Sequence, residues 1–400
     1  MKMMFAIAVF GSLMAGQALA EYTDGSVKIG VMNDQSGLYS DISGQGSVLA
    51  ARMAVEDFRR SDPGLRAEVV FADHKNKPDV GSNVVRNWID AENVDVIVDV
   101  QTSPVALAVN EIVREKNKVF LVSGAATSDL TGSKCSPNTV HWTYDTWNLA
   151  NGTGGATVKT GGETWFFVTA DHAFGHALER DTAAVVQVNG GKVLGAVRHP
   201  VNTSDFSSFL LQAQASKAKI IGLANAGGDT INSIKQAAEF GIVSGGQNLA
   251  GLLLFITDIH SLGLRTAQGL IFTETFYWDL NDSTRAWSKR FATQLKGKHP
   301  SMVQAGVYSA VLHYLKAVAV LKSDGDGKAV VAQMKKTPTE DPLFGKGTIR
   351  VDGRKIHPAY LVEVKKPSES KGEWDYYKIR ATIPANEAFR PLAQGNCPLR

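Results

Sequence analysis

The feature that most constrains this chain is a strict alternation of short apolar, β-rich runs with amphipathic helical stretches, delivered twice. Val27–Asn33 (VKIGVMN) reads as a strand, and Ser47–Arg60 places Val48, Ala51, Val55 and Phe58 on one helical face. Ala67–Ala72, Val94–Val100 (VDVIVDV) and Lys118–Ser123 read as strands, separated by helices over Val80–Ala91 and Val105–Lys116. Right-handed crossovers are the usual way to join parallel strands, so this series predicts a parallel sheet wrapped by helices. After Thr143-Tyr144-Asp145 the pattern restarts. Helix Trp147–Lys159, strand Thr164–Thr169, helix Ala173–Val188, strand Lys192–Val197, helix Phe206–Ala215, strand Ala218–Ala224, helix Thr230–Phe240 and strand Leu252–Ile256 follow. A further strand is expected at Gly269–Thr273, then helices over Thr284–Lys296, Val303–Leu321 and Gly327–Lys335, and late strands at Tyr360–Val364 and Asp375–Ile383. The expected fold class is α/β, with two similar lobes and a ligand cleft where strand C-termini and helix N-termini face each other.

Residues 1–20 (MKMMFAIAVFGSLMAGQALA) carry one charge, Lys2, then an apolar run and a small-residue Ala18-Leu19-Ala20 end. This is the pattern of a secretory signal peptide cleaved after Ala20, and the run is too short to span a bilayer. Export is therefore expected, and it permits a disulfide between Cys135 and Cys397, the two cysteines of the chain. That count excludes a disulfide-dense scaffold and a four-cysteine zinc site. Lys and Arg number 42 against 39 Asp and Glu, a near-balance that gives no support for a nucleic-acid partner.

Candidate site residues cluster at strand ends. The first strand ends in Asn33-Asp34-Gln35-Ser36-Gly37-Leu38-Tyr39, where Tyr39 offers a ring face and a hydroxyl. The third ends in Gln101-Thr102-Ser103-Pro104, and the fourth in Ser123-Gly124-Ala125-Ala126-Thr127. Hydroxyls beside free amides at a helix N-terminus suit a carboxylate, although simple capping explains either place alone. In the second series, Asn225-Ala226-Gly227-Gly228 lets backbone approach a ligand, and Thr257-Asp258 and Thr273-Glu274 supply acids that could meet an ammonium. His172 and His176 sit at i,i+4 spacing for zinc, but no third ligand is evident and Asp171 reads as a cap. No P-loop, G-x-S-x-G elbow, H-E-x-x-H or complete dinucleotide fingerprint is present. No catalytic residue, metal or cofactor is expected.

The stretches VKIGVMNDQSGLYSDISGQGSVLAARMAVEDF, VDVIVDVQTSPVALAV, VFLVSGAATSDLTG, TWFFVTADHAFGHAL and FYWDLNDSTRAWSKRF strongly resemble ABC-transporter substrate-binding proteins of the branched-chain amino acid type. The resemblance covers essentially the whole mature chain. It implies the type I periplasmic binding protein fold: two Rossmann-like lobes joined by three crossings, here near 143–145, 272–275 and 345–349. Lobe 1 would comprise residues 21–143 and 275–344, and lobe 2 residues 146–272 and 345–400. The family's carboxylate-holding positions match Thr102-Ser103 and the Ala125–Thr127 stretch, and its first-loop tyrosine matches Tyr39. A second-lobe tyrosine is replaced by Phe174 and another aromatic by Ala226. The ammonium-binding acid falls loosely near Asp258. Relatives also bind aromatic acids, amides and urea-like solutes, and Phe174, Tyr277 and Trp278 leave an aromatic acid open.

The resulting expectation is a monomeric, non-enzymatic periplasmic protein. It captures a small carboxylate-bearing solute by lobe closure and delivers it to the permease and ATPase of an ABC importer. A sensor of the same fold is the alternative, and a metal-dependent enzyme using Asp171, His172 and His176 the more distant one.

Overall fold

The structure, a computed structural model, describes residues 22–399; the expected signal peptide lies outside the described residues. The first lobe opens with β1 (Val27–Asn33), α1 (Gly44–Ser61), β2 (Ala67–Asp73), α2 (Pro78–Asp90), β3 (Val96–Asp99), α3 (Ser103–Glu115), β4 (Val119–Val122) and β5 (Thr139–His141). These strands form one parallel sheet in the order β2-β1-β3-β4-β5. β3 and β4 are buried throughout, as continuous apolar strands in a doubly covered parallel sheet must be.

The chain then crosses to a second lobe. α4 (Thr146–Leu149) runs through a wide π turn into α5 (Gly155–Lys159). Gly152 lies in that turn because a Cβ there would sit 2.2 Å from Thr273 Oγ1. Next come β6 (Thr164–Ala170), α6 (Ala173–Val188), β7 (Lys192–His199), α7 (Ser207–Ala215), β8 (Ile220–Ala224), α8 (Gly228–Glu239), β9 (Asn248–Gly251), α9 (Ile256–Leu262), α10 (Leu264–Ala267) and β10 (Ile271–Glu274). The second parallel sheet has the order β7-β6-β8-β9.

Beyond β10 the chain returns to the first lobe as α11 (Asp282–Gln294), α12 (Met302–Leu321) and α13 (Gly327–Lys336). α12 is apolar on nearly all sides, as a helix buried all round must be, and packs along α1. Arg290 of α11 forms a two-pronged bond to Asp57 of α1 (2.9 and 2.8 Å), and the Tyr308 hydroxyl donates to the same carboxylate at 2.9 Å. β11 (Thr339–Asp341), β12 (Gly345–Ile349) and β13 (Lys355–Ile356) make a small antiparallel sheet beside α13. β14 (Ala359–Val364) then pairs antiparallel with β10 and β15 (Tyr377–Ile383) antiparallel with β14, and α14 (Ala385–Ala388) leads into the tail. The tail returns to the first lobe. Cys397 is bridged to Cys135, and Arg390 donates to the Ser128 carbonyl at 2.8 Å.

Several elements depart from the sequence expectation, among them the short α9, α10, α14 and β11–β13, which are not expected at all. β5 is an added strand of three residues, too short to carry a periodicity. The run Leu252–Ile256, expected as a strand, is a buried connection into α9; the strand is β9, four residues earlier. Asp258 decides this, because its carboxylate accepts the Phe255 amide at 3.0 Å and starts the helix there.

The crossing at 142–145 is held by a fully buried guanidinium. Arg354 donates to the carbonyls of Thr143, Tyr144 (3.5 Å) and Lys355 (3.0 Å) and to Asp145 Oδ2 (3.3 Å), and its plane lies 4.4 Å from the Phe389 ring. Removing a partner from a buried charged pair costs about 3–5 kcal/mol. Arg354→Met should therefore lower the free energy of unfolding by that scale, seen as a lower urea midpoint; a midpoint within error of wild type would show that the crossing does not depend on it.

Candidate functional site

The ends of β1, β3 and β4 meet the N-terminus of α6, the end of β8 and the 252–255 connection across a narrow cavity with about 20 Å³ of water-accessible space. Tyr39, Gln101, Thr102, Ser103 and Ala126 line it from the first lobe. Tyr144 lines it from the crossing, and His172, Phe174, Ala226, Leu253 and Phe255 from the second lobe. At neutral pH none of these side chains carries a full charge.

The first wall is built by Asp34. Burial pushes its carboxyl up, but bonds from the Tyr39 amide (3.0 Å), Asn76 Nδ2 (2.7 Å), the Gly37 amide (2.6 Å) and the Ser36 amide (3.2 Å) outweigh this and hold it below the ordinary value. That fixes the turn carrying Tyr39. Asn76 then accepts the Thr102 hydroxyl at 2.6 Å, so the Thr102 proton points away from the cavity. Ser103 differs. Its Oγ accepts the Thr127 amide at 3.2 Å and keeps its own hydrogen to donate.

Three helices aim their N-termini at this space, and none has a side-chain cap bond: α3 after Thr102, α6 after His172 and α8 after Gly227. Free amides and aligned peptide dipoles at a helix N-terminus favour negative charge. Acids lie behind the walls. Asp99 carries an oxygen 2.8 Å from where a Cβ on Gly124 would stand. Burial pushes Asp99 and Asp229 up to about 6, Asp258 up to about 7, and Glu274 well above the carboxylate range.

Six of the eleven residues proposed from the sequence as ligand-binding therefore line the cavity: Tyr39, Thr102, Ser103, Ala126, Phe174 and Ala226. Five stand behind it. Ala125 belongs to the first lobe's core, and Thr127 accepts the Asp129 amide at 3.4 Å. Asn225 accepts the Thr230 hydroxyl at 2.8 Å, and Asp258 caps α9. Tyr277 packs on Tyr377 with ring centroids 4.8 Å apart. The two histidines diverge: His176 bonds Asp171 at 2.8 Å, while His172, not Asp171, occupies the N-cap and faces the cavity. Among the described residues, no group of three or more His, Cys, Asp or Glu is placed to hold a metal.

Sequence reasoning missed Gln101, Tyr144, Leu253 and Phe255. Gln101 lay inside the quoted strand-end motif and Tyr144 inside the crossing, so both had a signal. Leu253 and Phe255 were hidden by reading their run as a strand.

The two α/β lobes around an uncharged cleft define a class of ligand-capturing protein. A family model described as "Periplasmic binding protein" matches residues 26–373, and the chain belongs to that family. It is a binding protein and not an enzyme. The fold matches the crystal structure of a periplasmic binding protein from Burkholderia mallei with a TM-score of 0.91 and 53% identity, over 94% of this chain and 100% of that one. A branched-chain amino acid ABC transporter periplasmic ligand-binding protein from Burkholderia xenovorans LB400 is 39% identical, with a TM-score of 0.83, over 94% of this chain and 100% of its own. The fold alone is shared with a solute-binding protein of an ABC transporter from Rhodopseudomonas palustris HaA2, solved in complex with p-hydroxybenzoic acid. That structure is 22% identical with a TM-score of 0.81, over 90% of this chain and 97% of its own.

The lobes touch at the mouth. Gly227, at φ +58°, lies so close to the first lobe that a Cβ would sit 2.9 Å from the Leu38 carbonyl oxygen and 3.0 Å from the Tyr39 ring. Gly227→Ala should prop the cleft open. The expected result is at least ~10-fold weaker binding of any stabilising solute, the scale of about 1.4 kcal/mol lost from the closed state, and a larger radius of gyration by solution scattering at saturating solute. Unchanged affinity and radius would show that this contact does not belong to closure.

Proposed function

We propose that the protein captures a small monocarboxylate between its lobes in the periplasm and, as a monomer, presents the closed form to the membrane permease and ATPase of an ABC importer. Residues 21–143 and 275–344 would form one moving body, and 146–272 with the late strands the other. The observation that carries this reading is the convergence of three uncapped helix N-termini on a cavity lined by no charged side chain. An anion there is held by amides and hydroxyls already in place, which limits the ordering cost of binding. An α-ammonium would need a carboxylate in the lining, and Asp258, the acid the sequence offered for it, is turned onto the Phe255 amide. Closure is favoured only as far as the solute binds the closed form better, so its groups must touch both lobes. The export step would be performed by the segment 1–20.

Two measurements check this. Ser103→Ala removes the hydroxyl that is free to donate; a hydrogen bond to a charged group contributes about 1.5–3 kcal/mol, so affinity for a carboxylate should fall roughly 10- to 100-fold. Stability without solute should fall by about 1–3 kcal/mol, because the buried Thr127 amide loses its acceptor, so affinity is compared at a temperature where both proteins are folded. The second is proton linkage. A bound anion raises the pKa values of nearby acids that already stand at about 6 to 7 (Asp99, Asp229 and Asp258), so these groups take up protons on binding. Carboxylate affinity should therefore rise as pH falls from 8 to 6. Calorimetry in two buffers of different ionisation enthalpy should show net proton uptake; net release would mark a cationic group in the site and sink the monocarboxylate reading.

A further inference from the structure

We propose that His172 is a specificity residue that selects, among aromatic monocarboxylates, those whose ring bears a hydroxyl group. The inference rests on the carboxylate reading of the cavity and deepens it.

His172 stands at the N-cap of α6 on the second-lobe wall, and both of its ring nitrogens are buried without a hydrogen-bond partner. Its neighbours are committed elsewhere. Asp171 is bonded to His176 at 2.8 Å, and His199 meets the Pro200 carbonyl at 2.8 Å and Asn225 Nδ2 at 3.1 Å. A buried polar group left unpaired costs about 1–3 kcal/mol, so the position is unfavourable unless a solute completes it. Burial, with His176 and His199 nearby, pushes the His172 imidazole down to about 4 against the opposing pull of Asp171. The ring is therefore neutral in the periplasm, with one donor and one acceptor nitrogen. A phenolic hydroxyl is likewise both donor and acceptor.

The space between the two polar ends is aromatic. Tyr39, Tyr144, Phe174 and Phe255 line it; Tyr144 and Phe255 meet edge-on with centroids 5.8 Å apart, and Phe174 lies 5.7 Å from the His172 ring. Opposite His172, the first lobe offers Ser103, the amides of α3 and Gln101, whose side-chain amide is also buried without a partner meeting hydrogen-bond geometry. A flat ring with a carboxylate at one end and a hydroxyl at the other fits this order of groups and spans the two lobes.

The test is isothermal calorimetry on the full mature chain with benzoate, 3-hydroxybenzoate and 4-hydroxybenzoate, using wild type, His172→Phe and His172→Gln. Wild type should bind one hydroxybenzoate at least ~10-fold tighter than benzoate, the discrimination expected when a site's hydrogen-bonding group is otherwise left unpaired. His172→Phe should abolish that preference by weakening the hydroxybenzoate and sparing benzoate. His172→Gln, which keeps a donor and an acceptor, should restore part of it. The proposal is overturned if wild type binds benzoate as tightly as both hydroxybenzoates, or if the preference survives in His172→Phe. If no aromatic acid binds but an aliphatic carboxylate does, and Ser103→Ala weakens it, the carboxylate reading stands and the His172 proposal falls. If only cationic or uncharged solutes bind, both fall.

Discussion

The first passage of the chain from one lobe to the other is organised by one buried guanidinium. Where the chain leaves the first sheet at 142–145, its carbonyls have no strand to pair with, and a buried carbonyl must find a donor. Arg354 supplies donors to Thr143 and Tyr144 while its charge meets Asp145. Asp145 in turn caps α4, accepting the Asn148 amide at 2.8 Å, so one carboxylate ties the crossing to the first helix of the second lobe. His357 adds a bond to the Trp142 carbonyl at 3.1 Å. Lys355, beside it, is also fully buried, its ammonium 4.8 Å from the Trp142 ring and 4.1 Å from the Phe344 ring; burial brings its pKa down to about 8. Two crossings of the chain are thus locked to each other by polar bonds inside an apolar shell. On the proposed reading, such an arrangement would fix the axis about which the lobes turn.

The cavity inherits its geometry from that lock. Tyr144 lies between Thr143 and Asp145, both held by Arg354, and its hydroxyl donates to the Gly124 carbonyl at 2.7 Å. Its ring then meets Phe255 of the second lobe. A rotation of the lobes changes the distance from Tyr144 to Phe255 and from Leu38 to Gly227, while leaving the Asp34–Asn76–Thr102 chain of bonds within the first lobe intact. The first wall can therefore receive a carboxylate before closure. The second wall can only complete the site afterwards. On the proposed reading this orders the events: charge recognition by one lobe, then shape and hydrogen-bond selection by the other.

How much of this was legible depended on whether the signal was local. β1, β3 and β4 announced themselves as apolar runs because both faces of a parallel strand are buried, and the motifs at their ends fell where the sheet's switch point demands. Ser103 was readable for that reason. The direction of the Thr102 hydroxyl was not, because it is set by Asn76, twenty-six residues earlier in the chain and on another loop. β9 and α9 were misjudged because LLLFI is equally apolar as strand, helix or connection, and only the Asp258 cap distinguishes them. Tyr144 and Arg354 are paired across 210 residues, and no periodicity carries such a contact. His172 drew attention as half of a metal pair, yet what sets it apart is the partners it lacks, which becomes visible once Asp171 and His199 are seen to be engaged elsewhere.

The two walls also differ in what can change without loss of fold. On the proposed reading, the first wall would hold its solute with backbone amides, the end of α3 and a short hydroxyl whose lone pair is already used by Thr127. Substituting neighbours there disturbs a hydrogen-bond chain that also shapes the loop carrying Tyr39. The second wall presents whole side chains, His172, Phe174, Ala226, Leu253 and Phe255, from helix starts and a connection whose backbone is fixed independently by the sheet behind them. Exchanging one of these alters the volume or polarity of the cavity, and at Phe174, Leu253 and Phe255 it also touches the buried core. A scaffold divided in this way keeps its grip on one chemical group and varies the rest of the solute through the far lobe. The departures at Phe174 and Ala226 from the resembled pattern fall where that division places them.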